Sequence, residues 1–128
     1  MHQLEVVVLD ESHVVSTEAE LVQVMALRTD GGNHFQIAST ASLYPMLDLL
    51  VRDPYAVVHY WVHEGIAGDQ ADARVLDAPE EVAFRHSSAG DTITMPGSVL
   101  VMVNTAMSCV EEFARTLSRP TLVNWIEL

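Results

Sequence analysis

His59 and His63, with Glu64 beside them, are the residues whose types and spacing come nearest to chemistry. His-x-x-x-His on a helix puts two imidazoles on one face, where they could hold a zinc ion. Here the pair lies in "YAVVHYWVH", a run dense in β-branched and aromatic residues that reads as a strand. Four residues along a strand separate the rings by about 13 Å at ~3.3 Å per residue. Two ligands of one zinc must each lie ~2.1 Å from it. The order also departs from the His-Glu-x-x-His of zinc proteases. His2, His13, His34 and His86 show no ligand spacing. Ordinary strand histidines are expected, with no metal and no cofactor.

Other reactive groups are equally plain. Ser98 in "PGSVL" lacks the Gly-x-Ser-x-Gly elbow of a nucleophilic serine. Cys109 adjoins the apolar stripe of a helix, one turn before Phe113, and reads as a small packing residue. With 18 Asp and Glu in 128 residues, some carboxylates will be neighbours by chance. Paired acids are therefore no sign of general acid–base catalysis here. "DGG" and "GIAGD" match neither a phosphate loop nor a dinucleotide fingerprint. No feature argues for an enzyme.

Charge is more informative. Eighteen acids against six Lys and Arg give a formal net charge of −12. Direct nucleic-acid binding is disfavoured, because phosphate contacts need clustered cations. An anionic membrane surface is disfavoured for the same reason, and no apolar run approaches the ~18 residues of a membrane helix. A cationic partner is the natural complement, although acidity also serves solubility. The stretch "EGIAGDQADARVLDAPEE" concentrates the charge: Glu64, Asp69, Asp72, Asp77, Glu80 and Glu81 against Arg74. It reads as a long solvent-facing loop, or loops around a short strand. The single cysteine and the absence of a basic leader before "LEVVVL" point to a reducing cytoplasm.

The elements that must position these residues form one domain, 1–128, by length. "LEVVVL" is a buried strand, and Asp10 to His13 read as a polar turn. Thr17 and Glu20 have capping-box spacing, opening a helix over about 18–28 that Gly31 and Gly32 close. "HFQIAS", "LYPMLDLLV" and "YAVVHYWVH" follow as three strands of an antiparallel meander, with Pro45 near the start of the second. "VAFRHS" and "DTITM" form a pair around "SAGD", and "SVLVMVN" is a further strand or extended segment. A second helix, about 106–118, starts near Thr105 or Ser108 and turns Val110, Phe113, Ala114 and Leu117 inward. Pro120 forbids its continuation. In the final strand "TLVNWIEL", Val123 and Trp125 face one way and Leu122, Asn124, Ile126 and Leu128 the other. Trp61 is expected in the core or on the sheet face. The class is α+β: a mainly antiparallel sheet of about six strands with two helices on one side.

The end of this chain resembles one bacterial family. Glu111 and Phe113 on a helix, then Arg119–Pro120, then Trp125 on a strand, together with Tyr44–Pro45 and His59–Tyr60–Trp61, are similar to the first-numbered immunity-protein family of polymorphic toxin systems. The likeness covers about residues 34–128. Leu117 and Ser118 stand where that family usually has a glycine, and Trp61 stands where it usually has phenylalanine. The resemblance implies a small antitoxin-like protein with no catalytic activity. It would bind a cognate toxin, often a nucleic-acid deaminase, and occlude its active site or basic groove. The contact surface is then expected on Glu64, Asp69, Asp72, Asp77, Glu80 and Glu81, with Phe113, Arg119, Pro120 and Trp125 as a structural latch. The competing expectation is a small-molecule-binding or regulatory domain, which would need an apolar pocket with convergent polar groups.

Overall fold

The computed structural model describes residues 1–64 and 68–128. Residues 65–67 of the acidic stretch lie outside the described residues. The fold is α+β, with strands β1 (Leu4–Val8), β2 (Glu11–Val15), β3 (Asn33–Ser39), β4 (Ser42–Arg52), β5 (Tyr55–Trp61), β6 (Asp69–Asp72), β7 (Glu81–Arg85), β8 (Thr92–Pro96), β9 (Val101–Met102) and β10 (Asn124–Glu127), and helices α1 (Glu18–Met25) and α2 (Val103–Thr116). Eight strands form one antiparallel sheet in the order β10-β6-β5-β4-β3-β1-β2, with β9 also paired to β5. The other two, β7 and β8, pair as a separate hairpin.

Strand alternation divides the sheet into two faces. Leu4, Val6, Phe35, Ile37, Leu47, Leu49, Val58 and Tyr60 turn one way and meet Leu21, Met25, Val110 and Phe113 of the helices. Leu50 and Val57 turn the other way, and Phe84 of β7 with Leu100 covers them. The hairpin therefore caps only part of that second face. The remainder carries polar side chains, Gln36, Asp48 and His59 among them, beside Met46 and Trp61.

Several local expectations change. The segment Asp10–His13 is not a simple turn: Leu9 and Asp10 make a two-residue reversal, and β2 pairs along all of β1. The capping box at Thr17 is present, with Glu20 N–H donating to Thr17 Oγ1 at 3.2 Å and Thr17 N–H to Glu20 Oε1 at 3.1 Å. But α1 ends at Met25, with Ala26 as its C-cap, well before Gly31. Asn33, only 2 % exposed, intervenes. Its amide donates to Leu27 O, and its carbonyl accepts from Thr29 N–H at 2.7 Å. α2 begins earlier than Thr105, behind Met102, which offers no side-chain cap. The Val103 N–H instead donates to Pro54 O at 2.8 Å, so a distant carbonyl satisfies one of the amides a helix leaves open.

The closing segment is a latch. Phe113 is fully buried, and Tyr60 meets it edge-on at 6.3 Å. Trp125 also packs on Tyr60, ring to ring at 6.3 Å, and donates its indole N–H to Pro120 O at 2.8 Å. Arg119 lies over the Trp125 ring and bonds Asp69 Oδ2 at 2.9 Å. Leu117 closes α2 with left-handed backbone, φ 50°, ψ 35°. That conformation suits glycine; here the leucine side chain packs against the core.

Cys109 is fully buried on the inner face of α2. Burial first, and then the charge of Glu112, push its thiol up to about 12. We expect no labelling by a maleimide in native buffer and stoichiometric labelling after denaturation. Rapid native labelling would show that α2 opens readily from the sheet.

Candidate functional site

The sheet's second face carries a row of polar residues held in register beside the part that the hairpin caps. Gln36, Asp48, His59 and Gln70 stand side by side on β3, β4, β5 and β6. Their strands are fixed by the apolar residues between them, so the row follows from alternation. His34 lies diagonally across from Asp48 and donates Nε2–H to Asp48 Oδ1 at 2.9 Å. Asp48 is 17 % exposed and His34 24 %. Beside the row, Tyr44, Met46, Trp61, His63 and Glu64 join Gln36 and Asp48 around a notch of about 270 Å3. Gly68 presses on Trp61: a Cβ there would fall 2.8 Å from the indole, so only glycine permits the approach. His59 braces the same ring at 5.9 Å.

The two histidines sit in opposed fields. Burial alone would lower His34, but the hydrogen bond and charge of Asp48, with help from the His86 carbonyl and Asp10, carry it above its ordinary value. Burial lowers His59 despite the pull of Asp48 and Gln70. The linkage follows from those signs. His34 contributes stability that is complete below the ordinary histidine pKa and lost as pH rises through its raised folded value. His59 contributes stability present above the ordinary value and lost as pH falls through its lowered one. An NMR titration should therefore find His34 titrating above His59. Asp48→Asn should move both downward. A His34 curve unmoved by that change would refute the pairing.

The six acids of the middle stretch are not one loop. Glu64 follows β5 and lines the notch. Asp69 and Asp72 lie on β6, inside the sheet. Asp69 shares its side with Ala71, toward the helices, and Arg119 holds it. Asp72 alternates to the other face. Asp77 and Glu80 are exposed on the segment that leads into β7, and Glu81, also exposed, is the first residue of β7. Val75 and Ala78 of that segment pack on the Leu50–Val57 cluster, placing it on the side away from the helices. Five of the six acids thus belong to one side of the molecule, and Asp69 is committed to Arg119. Asp48, Tyr44 and Trp61 complete that side. Their alternation was visible in the sequence, but the register that gathers them was not.

β5 runs extended through Trp61, so His59 and His63 do not share a helical face. Among the described residues, no group of three His, Cys, Asp or Glu is placed to hold a metal. No described helix is long and apolar enough to cross a membrane. A family model described as Immunity protein Imm1 matches residues 9–127. This chain belongs to the Imm1 family. The match extends the likeness from about residue 34 back to residue 9, to include β2 and α1. No curated protein matches the chain. Imm1 proteins are immunity proteins, so the partner of this chain is a cognate toxin, which it neutralises. Within the fold, the aromatic rings of the latch and its Arg119–Asp69 pair join the end of α2 to the sheet.

Proposed function

We propose that this Imm1 protein neutralises a toxin that acts on nucleic acid, a deaminase in the first instance, by covering its basic substrate groove. The observation that carries the reading is the gathering of Glu64, Asp72, Asp77, Glu80 and Glu81, with Asp48, on the side of the sheet away from the helices. A groove built for phosphates must be cationic, and a net charge of −12 complements it. Asp69 supports the surface through Arg119 rather than touching the toxin. The mechanism is occlusion: the acids steer encounter, and the packed face excludes substrate. The free buried thiol suits a protein that works in the reducing cytoplasm of the cell it protects.

The test is co-expression with the toxin domain encoded beside it. We expect a stable complex, rescue of growth, and loss of nucleic-acid binding by the complexed toxin. A complex that still binds nucleic acid would overturn groove occlusion. No complex and no rescue would overturn the toxin assignment.

A second reading, a small-molecule-binding domain, has one feature in its favour. Leu21, Val22 and Met25 of α1 face Met107, Val110 and Ala114 of α2 across an apolar groove of about 300 Å3. Its charged residues, Glu18, Arg28 and Glu111, are exposed at the rim, and no polar set converges inside. A ligand site needs those orienting groups.

A further inference from the structure

Resting on the toxin-binding reading above, we propose that the notch beside Trp61 is a receptor for one arginine side chain of the partner toxin.

The argument begins with Asp48. It sits in the middle strand row, mostly buried, with Oδ1 occupied by His34 at 2.9 Å. Among the described residues, the hydrogen bond to this carboxylate is to Oδ1, and no buried oxygen lacks a partner, so Oδ2 is left on the side that reaches solvent. The side chain as a whole is only 17 % exposed, so a cation that reaches the carboxylate gains more than at a fully open surface. Gln36 stands directly beside Asp48 on β3 and can turn its amide oxygen to the same space. Glu64 supplies a second carboxylate at the rim. Trp61 and Tyr44 supply aromatic walls, and Met46 an apolar floor.

That combination selects among cations. An aromatic wall attracts positive charge through its ring quadrupole. Several acceptors at different angles match a planar guanidinium with five donors better than a compact ammonium with three. A neutral ligand would leave the carboxylates unanswered. The volume, about 270 Å3, is at or below the roughly 300–1,000 Å3 of sites that enclose whole small ligands. It suits one side chain that enters from a larger partner.

The notch is also prepared in advance. His59 and Gly68 brace the indole, and His34 fixes the Asp48 carboxylate. A receptor already ordered loses little entropy on binding. Rigid aromatic groups with a buried charge partner are where binding energy concentrates in protein interfaces. The acids around it then steer the toxin, while the notch sets its register.

The test uses the intact protein and two probes, N-acetyl-arginine amide and its citrulline counterpart, which keeps the shape but lacks the charge. By NMR, arginine should move the Trp61 indole signal saturably, and citrulline should not. The shift should disappear in Asp48→Asn and weaken in Glu64→Gln, an exposed change that leaves the fold alone. Equal shifts from citrulline, or arginine shifts scattered over surface acids without Trp61, would overturn the proposal. In the second arm, Asp48→Asn should weaken binding to the neighbouring toxin domain by roughly thirtyfold or more. If the wild type binds the toxin and Asp48→Asn binds equally well, the notch proposal fails and the toxin reading stands. If the wild type binds no toxin, the toxin reading fails, and the arginine titration alone decides whether the notch takes a guanidinium.

Discussion

Phe113→Ala is expected to leave this protein close to unfolding under ordinary conditions. The ring has no solvent exposure and lies where α2 meets the sheet, edge-on to Tyr60. Truncating a buried phenylalanine costs ~3–5 kcal/mol, through lost transfer energy and the cavity left behind. A domain of this kind has only about 5–15 kcal/mol in total. The surroundings have little scope to collapse. Tyr60 is also held by Trp125, and Trp125 is tied to Pro120. Phe113→Leu keeps most of the volume and should lose much less. Urea unfolding of both variants checks this: the alanine midpoint should drop steeply, with the slope nearly unchanged. A drop of less than about 1 kcal/mol would mean that the latch does not hold α2 to the sheet, since surface-type substitutions already reach about 0.5.

The parts of the fold that sequence reading recovered are those whose cause is local. The capping box at Thr17 and Glu20 is a side chain bonding its own helix end, and the meander β3–β4–β5 announces itself by alternation. The parts it missed have distant or unusual causes. β2 was hidden because its turn has no glycine. Leu9 and Asp10 both take positive φ, 46° and 74°, as a two-residue hairpin reversal demands, yet the usual Asn-Gly signal is absent. The start of α2 was hidden because its open amide is satisfied by Pro54, about fifty residues upstream. The early end of α1 was hidden because Asn33, from the next strand, reaches back to Leu27.

The candidate site follows the same division. Composition alone marked the stretch from Glu64 to Glu81 as acidic, but composition cannot say which way a residue on a strand points. Asp69 and Asp72 look alike in the sequence. Three residues apart on β6, they fall on opposite faces, one bonded to Arg119 and one turned to the open side. Asp48 was invisible as a site residue for a related reason. It sits among leucines in "MLDLLV", and its partners His34, Gln36 and His59 come from other strands. Only pairing register brings them together, and register is fixed by the whole sheet.

The acidic side should then govern how quickly the toxin is captured. Glu64→Lys, Glu80→Lys and Glu81→Lys, combined with Asp77→Asn, are expected to slow association roughly 10- to 1,000-fold. Asparagine is used at Asp77 because that residue has φ 55°, a conformation that asparagine tolerates and lysine does not favour. The four changes raise the formal charge by seven units, from −12 to −5. All four side chains are exposed, so the fold should persist. The dissociation rate should change much less, because charges at a rim act on encounter rather than on the packed contact. Raising salt should bring the wild-type rate toward that of the variant, since ~1 M salt shortens the screening length to ~3 Å. Net charge alone could produce some slowing, and a matched control separates the two causes. Glu18→Lys with Glu111→Lys alters charge by four units on the helix side, where both residues are exposed. Stopped-flow association should show a much smaller effect per unit charge for that pair. Equal effects per unit charge from the two sides would refute the placement of the toxin on the sheet's open face, because steering would then follow total charge and not where it sits.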